Sequence, residues 1–249
     1  MENKKTILGV IPARYKSSRF EGKPLVKIKG IPMIKRTYMQ SLKSNLLDKI
    51  VVATEDKRII DYCEMEDIPV VMTTDRCLTG TDRVAEVSQQ MDYDFYVNIQ
   101  GDEPIIDPSS IEQIVEMYLT HGNDYIAYNL YKVIDDMTEV NSDTIIKVIT
   151  NVNDEVMYMS RLPIPFSKGK LTSVFKQQIP VYGFTKKALS LFSSYEKTLN
   201  EKFEDIELLR FVDLGFKLKM IPTTASSIAV DVPADLAKVE DYLTTHGLD

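Results

Sequence analysis

Four cations lie close together in a short loop near the start of the chain. Arg14, Lys16, Arg19 and Lys23 share this loop with Gly22 and directly follow an apolar run. A bound triphosphate carries about four negative charges, which fixed cations and main-chain N–H groups in such a loop can offset. The loop lacks the G-x-x-x-x-G-K-[ST] pattern of a Walker A motif, and a solvated basic loop has a similar composition. These residues alone leave both interpretations open.

Two carboxylates stand at comparable positions later in the chain. Asp102 follows a second apolar run and lies in the segment Gln-Gly-Asp-Glu-Pro at residues 100–104. Asp231 lies two residues before Pro233. A carboxylate at a strand end can hold a hard divalent cation against phosphate oxygens, as nucleotide transfer requires. Asp and Gly are also ordinary turn residues, and Asp231 fits a helix N-cap. The residues alone predict either a metal site or two structural carboxylates.

Other side chains that commonly perform chemistry are scarce. The two histidines, His121 and His246, fit surface positions at helix ends. The two cysteines, Cys63 and Cys77, belong to no Cys-x-x-Cys or Cys/His cluster, so we expect neither structural zinc nor a disulfide framework. Without a histidine base, a Ser-His-Asp or Cys-His hydrolase is disfavoured. The chemistry must therefore rely on carboxylates, lysines, arginines and metal ions.

Composition limits the class of protein further. A chain of 249 residues with 44% hydrophobic content can bury the core of one large domain. The net charge of −7, with no basic stripe, disfavours nucleic acid as a partner. The apolar run at residues 7–11 is too short for a signal peptide or a membrane span. We therefore expect a cytoplasmic protein without a membrane span.

The first half of the chain alternates between predicted strands and predicted helices. The strands are expected at residues 6–12, 49–54, 70–72 and 94–99, and the helices at 31–43, 57–66, 81–91 and 108–119. This alternation predicts an α/β fold with a mostly parallel sheet and helices on both faces. Ligands are then expected beyond the carboxyl ends of the strands, where the basic loop and Asp102 lie.

The second half of the chain is richer in strands. Residues 125–133, 144–150 and 156–160 predict a mixed sheet or a hairpin extension, followed by helices at 186–194, 206–214 and 233–245 and strands at 217–222 and 227–230. No linker, repeat or low-complexity tract interrupts the sequence. We therefore predict a single domain over residues 1–249, with a β-rich insertion at about 125–185.

Residues 11–25 resemble the signature IPARxxSxRLPGKPL of the CMP-Kdo synthetases, where Kdo is 3-deoxy-manno-octulosonate. Phe20 and Glu21 replace the family's Leu and Pro, whereas the cations and Gly22 are kept. Residues 100–104 are similar to the family's metal-binding block, and 230–236 to its Val-Asp-Thr-Pro-Glu-Asp-Leu segment. Residues 78–86 and 204–210 resemble two further blocks, so the matches run in family order from 11 to 236.

The resemblance implies a Rossmann-like fold of the nucleotide-diphospho-sugar transferase type and a nucleotidyltransferase activity. The anomeric hydroxyl of a 3-deoxy-ulosonic acid, with Kdo as the leading candidate, would attack the α-phosphorus of CTP and displace pyrophosphate. The implied catalytic residues are Lys23, Arg14, Asp102 and Asp231, with Mg²⁺ on the two aspartates. The implied nucleotide-binding residues are Ala13, Arg14, Ser17, Arg19, Lys23, Thr79, Gly80 and Arg83.

For the sugar acid, the resemblance implies contacts from Gln100, Arg161, Gln178, Tyr182 and Glu207. An arginine suits a carboxylate because its guanidinium donates two parallel hydrogen bonds. The alternatives are that Arg161 is a surface cation near a Pro-rich turn, and that Glu207 pairs with Arg210 on a helix surface.

The chain departs from the family pattern at three places. Gln178 replaces a histidine, Pro180 replaces a glycine, and the arginine within residues 73–77 stands two positions later. A glutamine keeps hydrogen-bonding capacity but cannot be cationic. The departures at Gln178 and Pro180 leave open another sugar acid or a phosphonate as the acceptor, whereas the shifted arginine bears on recognition of the base.

Two further classes stay open. One is a metal-dependent glycosyltransferase that uses residues 101–103, and the other is a non-catalytic nucleotide sensor. The expected partners are CTP and a sugar acid, with a homodimer as in other family members. The product would serve lipopolysaccharide or capsule biosynthesis.

Overall fold

The computed structural model describes residues 4–17, 19–168, 174–225 and 227–248. Its strands form a nine-stranded mixed sheet and a separate two-stranded hairpin. The strands are β1 (Ile7–Pro12), β2 (Lys27–Ile28), β3 (Ile31–Pro32), β4 (Lys49–Thr54), β5 (Val70–Met72), β6 (Phe95–Ile99), β7 (Ala127–Ile134), β8 (Lys147–Thr150), β9 (Val156–Ser160), β10 (Phe175–Thr185) and β11 (Leu218–Pro222). The helices are α1 (Met33–Ser41), α2 (Lys57–Met65), α3 (Gly80–Gln90), α4 (Pro108–His121), α5 (Met137–Asn141), α6 (Lys186–Ser194), α7 (Leu199–Glu204), α8 (Leu209–Asp213) and α9 (Asp235–Thr245).

The main sheet has the strand order β11-β7-β10-β6-β1-β4-β5. Strands β6, β1, β4 and β5 pair in parallel, as do β11 and β7, whereas β10 is antiparallel to both of its neighbours. Strands β8 and β9 form a hairpin attached to β10. The predicted mostly parallel α/β sheet is confirmed, and the β-rich region supplies two of its inner strands.

Helices cover both faces of the sheet. One core contains side chains of α3, α6 and α8 against the sheet, and the other contains side chains of α1, α2 and α4. Val10 and Ile11, adjacent in β1, point to opposite cores because side chains alternate along a strand. Both cysteines are free thiols. None of the helices in the described ranges combines the length and apolar content needed to cross a membrane.

Several predicted elements differ from those in the structure. The predicted helix 31–43 is the shorter α1, because a β2–β3 hairpin ends at Pro32 and the helix begins at Met33. The predicted helix 206–214 is reduced to the five residues of α8. Residues 227–230 form no strand, since the N–H of Val230 bonds to the carbonyl oxygen of Asp102 at 3.0 Å and not to a sheet partner.

A small third core brings the end of the chain to the carboxyl edge of the sheet. Val239 and Leu243 of α9 pack with Ile28, Met33 and Ile105, and Phe20 packs against this cluster from the basic loop. The segment before α9, which contains Asp231, is thereby held beside the loop that follows β1.

Candidate active site

A cavity of about 240 Å³ opens at the carboxyl ends of β1 and β6, the edge at which ligands were expected. All eight residues predicted to bind nucleotide line this cavity: Ala13, Arg14, Ser17, Arg19, Lys23, Thr79, Gly80 and Arg83. Gln100, Asp102 and Glu207 also line it. The fold therefore gathers motifs that lie far apart in the sequence.

The shape of the basic loop is set by close contacts around Gly22. This residue has φ +69°, and a Cβ atom on it would lie 3.0 Å from the Tyr15 hydroxyl oxygen. The Arg58 guanidinium lies 3.3 Å from the centre of the Tyr15 ring and forms an ion pair with Asp56 at 2.7 Å. A glycine permits this left-handed conformation and close approach. The loop then enters a short 3₁₀ turn, Lys23–Leu25, which directs Lys23 into the site.

Lys23 connects the two predicted metal carboxylates. Its Nζ donates to Asp102 Oδ2 at 2.7 Å and to the Val230 carbonyl oxygen at 2.8 Å, and it lies 3.8 Å from Asp231 Oδ1. Arg19 Nη2 lies 3.2 Å from Asp231 Oδ1. These ion pairs offset the charge of the two carboxylates.

Asp231 does not cap the last helix, so the N-cap interpretation is wrong. Helix α9 begins at Asp235, and Asp235 Oδ2 accepts hydrogen bonds from the N–H groups of Asp231 and Val232. The Asp231 side chain is thereby left for Lys23 and Arg19. Asp235, the first residue of α9, instead ties the start of the helix to the segment that precedes it, and no side chain of the described residues caps the helix at Ala234.

The oxygen atoms around Lys23 suit a hard cation. Asp102, Asp231 and the Val230 carbonyl all place an oxygen within 3.8 Å of the same ammonium nitrogen. Across the described residues, no group of three or more His, Cys, Asp and Glu side chains is arranged to hold a metal ion. Two carboxylates nevertheless fit Mg²⁺ in nucleotide sites, where phosphate oxygens and waters complete the coordination.

Glu103, next to Asp102, has a different environment. Its side chain is 3% exposed, and burial, aided by the negative charge of Asp102, raises the pKa of Glu103 to about 8. With this pKa the Glu103 carboxyl is mainly protonated at neutral pH. It does not contribute a third negative charge to the cluster at Lys23.

Glu207 binds the amino-terminal end of α3. Thr79 and Asp82 form a capping box there, and the N–H groups of Gly80 and Thr81 donate to the Glu207 carboxylate at 3.2 and 3.0 Å. Removal from water raises the pKa of Glu207, and these hydrogen bonds oppose that rise. A helix N-terminus favours negative charge, which suits the Glu207 carboxylate. Through these hydrogen bonds Glu207 joins the cavity loop to the segment before α8.

Two arginines near the cavity are held in buried ion pairs. Arg83 lies 2.6 Å from Glu55 Oε2. Arg210 lies 2.6 Å from Glu201 and 3.7 Å from Asp82. The alternative in which Glu207 pairs with Arg210 on a helix surface is therefore wrong, because Arg210 is 2% exposed and is paired elsewhere.

The predicted sugar-binding residues are divided between two places. Gln178 and Tyr182 lie on β10, 5% and 8% exposed, and Tyr182 is paired in register with Asn98 of β6. Burial, followed by the negative charge of Glu207, raises the pKa of Tyr182. These two residues and Glu207 therefore lie in one neighbourhood, next to the cavity wall that includes Gln100.

Arg161 is engaged in a different way. Its guanidinium donates to the carbonyl oxygens of Glu204, Asp143 and Asp205 at 2.6, 2.8 and 3.2 Å, and it does not line the cavity. It therefore holds the end of β9 to the end of α7. Its contact with a sugar carboxylate stays a prediction.

Lys197 and Asp205 also line the cavity and were not predicted. They lie 3.7 Å apart and flank α7. Lys197 belongs to no pattern in the sequence. Asp205 belongs to the matched block at residues 204–210. Its left-handed backbone, with φ 51°, is not indicated by its residue type. Only the packing of α7 reveals both residues.

A mostly parallel sheet, a cation-rich loop at its carboxyl edge and a pair of carboxylates facing a lysine together define a nucleotidyltransferase. The chain belongs to the cytidylyltransferase family, whose model matches residues 8–221. The predicted resemblance and enzyme class are thereby confirmed.

Relatives and a solved structure match nearly the whole chain. It is 38% identical to a 3-deoxy-manno-octulosonate cytidylyltransferase of Chlamydia pneumoniae, covering 95% of this chain and 93% of that protein. It is 36% identical to an 8-amino-3,8-dideoxy-manno-octulosonate cytidylyltransferase of Shewanella baltica, covering 94% and 97%. The structure of CMP:2-keto-3-deoxy-manno-octonic acid synthetase complexed with CTP superposes with a TM-score of 0.91 at 30% identity, covering 97% and 99%.

Proposed function

We propose that the protein transfers CMP from CTP to the anomeric hydroxyl of Kdo. The hydroxyl oxygen forms a bond to the α-phosphorus, the bond between that phosphorus and the bridging oxygen breaks, and pyrophosphate leaves. The hydroxyl proton is released. The observation that carries this proposal is the cluster of Lys23, Asp102 and Asp231 at the edge of a cavity lined by the nucleotide motifs.

The basic loop provides the triphosphate site. Arg14 and Arg19 are exposed at the cavity, and Lys23 is more enclosed. Their charges offset the charge that develops on the leaving pyrophosphate, so positioning and electrostatic stabilisation carry most of the catalysis. Thr79, Gly80 and the loop before α3 also line the cavity and would contact the nucleoside.

Asp102 and Asp231 would hold Mg²⁺. When bound, Mg²⁺ supplies a Lewis acid that neutralises triphosphate charge and favours ionisation of the attacking hydroxyl. With the two carboxylates engaged in this way, the Lys23 ammonium would be available to a phosphate oxygen. This assignment explains why the catalytic cluster needs no histidine.

The acceptor half of the site lies along β10. Gln178 and Tyr182 provide neutral hydrogen-bonding groups beside Gln100 and Glu207, which suit the hydroxyl groups of a sugar. We propose that Arg161 gives up one of its hydrogen bonds to a carbonyl oxygen and donates instead to the carboxylate of the sugar acid. The similarity to the 8-amino relative makes 8-amino-3,8-dideoxy-manno-octulosonate a second candidate acceptor.

A pyrophosphate-release assay tests the proposal. CTP, UTP, ATP and GTP are each combined with Kdo, with the 8-amino analogue, with sialic acid and with a small phosphonate, with Mg²⁺ or with EDTA. We expect release only with CTP and Mg²⁺, and fastest with Kdo. Faster turnover of the 8-amino analogue would assign that acceptor. A further arm offers a sugar nucleotide in place of the triphosphate. Its consumption without pyrophosphate release would replace the proposal with a glycosyltransferase.

The proposed assembly is a homodimer formed through the β-rich region, working in the cytoplasm. Large apolar side chains are exposed there, among them Val152 at 99%, Phe166 at 87% and Leu162 at 71%. Association would bury exposed apolar side chains of this size. Sedimentation equilibrium tests this assignment, with Phe166→Asp expected to shift the protein to monomers. The product is proposed to feed lipopolysaccharide or capsule biosynthesis.

A further inference from the structure

Strand β10 contains a two-residue bulge at the acceptor half of the site. Ile179 faces Leu130 of β7 and Tyr182 faces the adjacent Asn129, so Pro180 and Val181 have no partner on β7. Extra residues in one strand leave main-chain groups without ladder hydrogen bonds. Pro180 reduces this loss because a proline has no N–H group to satisfy.

The side chain of Asn129 spans the bulge from the neighbouring strand. Its Nδ2 donates to the carbonyl oxygens of Ile179 and Val181, both at 2.7 Å, and the residue is fully buried. A side-chain amide nitrogen has two hydrogens, so both are used. The two carbonyls that flank Pro180 are therefore fixed by one side chain of β7.

Gln178 and Tyr182 stand at the two ends of this bulge. They lie on the same face of the sheet, because they pair with Tyr131 and Asn129, which are two residues apart on β7. The Gln178 amide nitrogen is buried and makes no hydrogen bond of good geometry within the described ranges, although it lies near the Tyr182 hydroxyl. A buried donor without a protein partner is costly, and a ligand or water acceptor would satisfy it.

The bulge sets where these two side chains stand relative to β7. Two extra residues correspond to about 6 to 7 Å of strand at the usual rise per residue. If the bulge relaxed, Gln178 would shift along β7 relative to Tyr182, and the spacing of the two hydrogen-bonding groups would be lost. The spacing depends on the two carbonyls that Asn129 binds.

We infer that Asn129 is a positioning residue for the sugar acid, acting through the bulge at Pro180 on Gln178 and Tyr182. The inference rests on the proposed function, which assigns those two residues to the acceptor. Asn129 has no place in the nucleotide half of the site, since it does not line the cavity that holds the nucleotide motifs. Its loss should therefore act on one substrate and spare the other.

The test is steady-state kinetics of Asn129→Leu, a change that keeps the approximate size of the side chain and removes both donors. We expect the KM for Kdo to rise at least about tenfold while the KM for CTP changes by less than about twofold. Pro180→Gly should give a smaller rise in the KM for Kdo, because it loosens the bulge and leaves Asn129 in place.

Tyr128→Phe is the matched control. Tyr128 is adjacent to Asn129, is fully buried on the opposite face of β7 and donates to the Gly122 carbonyl oxygen at 2.8 Å. The control loses a buried hydrogen bond to a carbonyl and should leave the KM for Kdo unchanged. The double variant Asn129→Leu with Pro180→Gly should show less than the sum of the two single effects on that KM, because both act through one bulge.

The inference is overturned if Asn129→Leu raises the KM for both substrates equally, or if it changes activity only in proportion to the fraction unfolded. If Asn129→Leu does not fold, Pro180→Gly decides alone, and an unchanged KM for Kdo overturns the inference. Wild-type turnover tests the proposed function separately. If wild type prefers another sugar acid, the same comparison is made with that acid, and if it turns over none, both proposals fail.

Discussion

Removal of the Arg161 guanidinium is expected to weaken the fold as well as sugar binding. Its three donor nitrogens bond to carbonyl oxygens in two segments, at 2.6 Å and 3.2 Å to the end of α7 and at 2.8 Å to residue 143. A hydrogen bond from a charged donor contributes about 1.5–3 kcal/mol. Partial solvent exposure reduces this, so we expect Arg161→Ala to lower the free energy of unfolding by about 2–4 kcal/mol in total.

The assay is thermal and urea unfolding of substrate-free protein. For a chain of this size, a loss of that order lowers Tm by roughly 5–15 °C. Arg161→Lys is the matched control, because it keeps the charge but lacks the planar fork, and it should recover less than half of the lost stability. A Tm for Arg161→Ala within about 1 °C of wild type, together with a raised KM for Kdo, would refute the reasoning and leave Arg161 as a sugar ligand alone.

Three further predictions concern the carboxylates and Lys23. Asp102→Asn and Asp231→Asn should each lower kcat at least about a hundredfold with an unchanged circular dichroism spectrum. If either variant keeps near wild-type turnover at saturating Mg²⁺, the substituted aspartate does not bind the metal. Lys23→Ala should lose on the order of 2–4 kcal/mol of transition-state stabilisation, measured as kcat/KM for CTP. An unchanged kcat/KM would show that Lys23 has no catalytic role and belongs to an ordinary solvated loop. Glu103 has a pKa raised from 4.5 to about 8, so its contribution to stability is complete below pH 4.5 and is lost as pH rises through about 8. The free energy of unfolding of the metal-free protein should therefore fall over this range by roughly 5 kcal/mol, at about 1.4 kcal/mol per pH unit between the two pKa values. Glu103→Gln should flatten the profile, and a wild-type profile as flat as that of the variant would contradict this.

Much of the first half of the fold could be predicted because its signals are local. Strands β1, β4, β5 and β6 are short apolar runs, and each lies within one residue of its predicted bounds. Strand β10 was not predicted as an element, since Gln177, Gln178 and Pro180 interrupt its pattern of apolar residues. Its partners, β6 and β7, are far away in the sequence, so tertiary pairing and not local preference determines it.

The residues of the site also differ in whether their positions follow from local sequence or from tertiary packing. The eight nucleotide-binding residues come from two continuous segments, so placing each segment beside the cavity places all of them. The approach of Asp231 to Asp102 depends on the small core around α9 and on the bond from Val230 to Asp102, neither of which has a sequence signal. The engagement of Arg161 with carbonyl oxygens was also unpredictable, because a residue type does not reveal what its side chain contacts.

The position of β10 has a consequence for biosynthesis. This strand lies between β6 and β7 but is translated after both. Until it emerges from the ribosome, the facing edges of β6 and β7 carry unpaired N–H and C=O groups, which promote association with other chains. Such non-local pairing also slows folding. The sheet is therefore completed late in synthesis. A chain truncated before Phe175 would also lack β11, so β6 would end a four-stranded sheet and β7 would have no partner strand in place of a smaller stable domain.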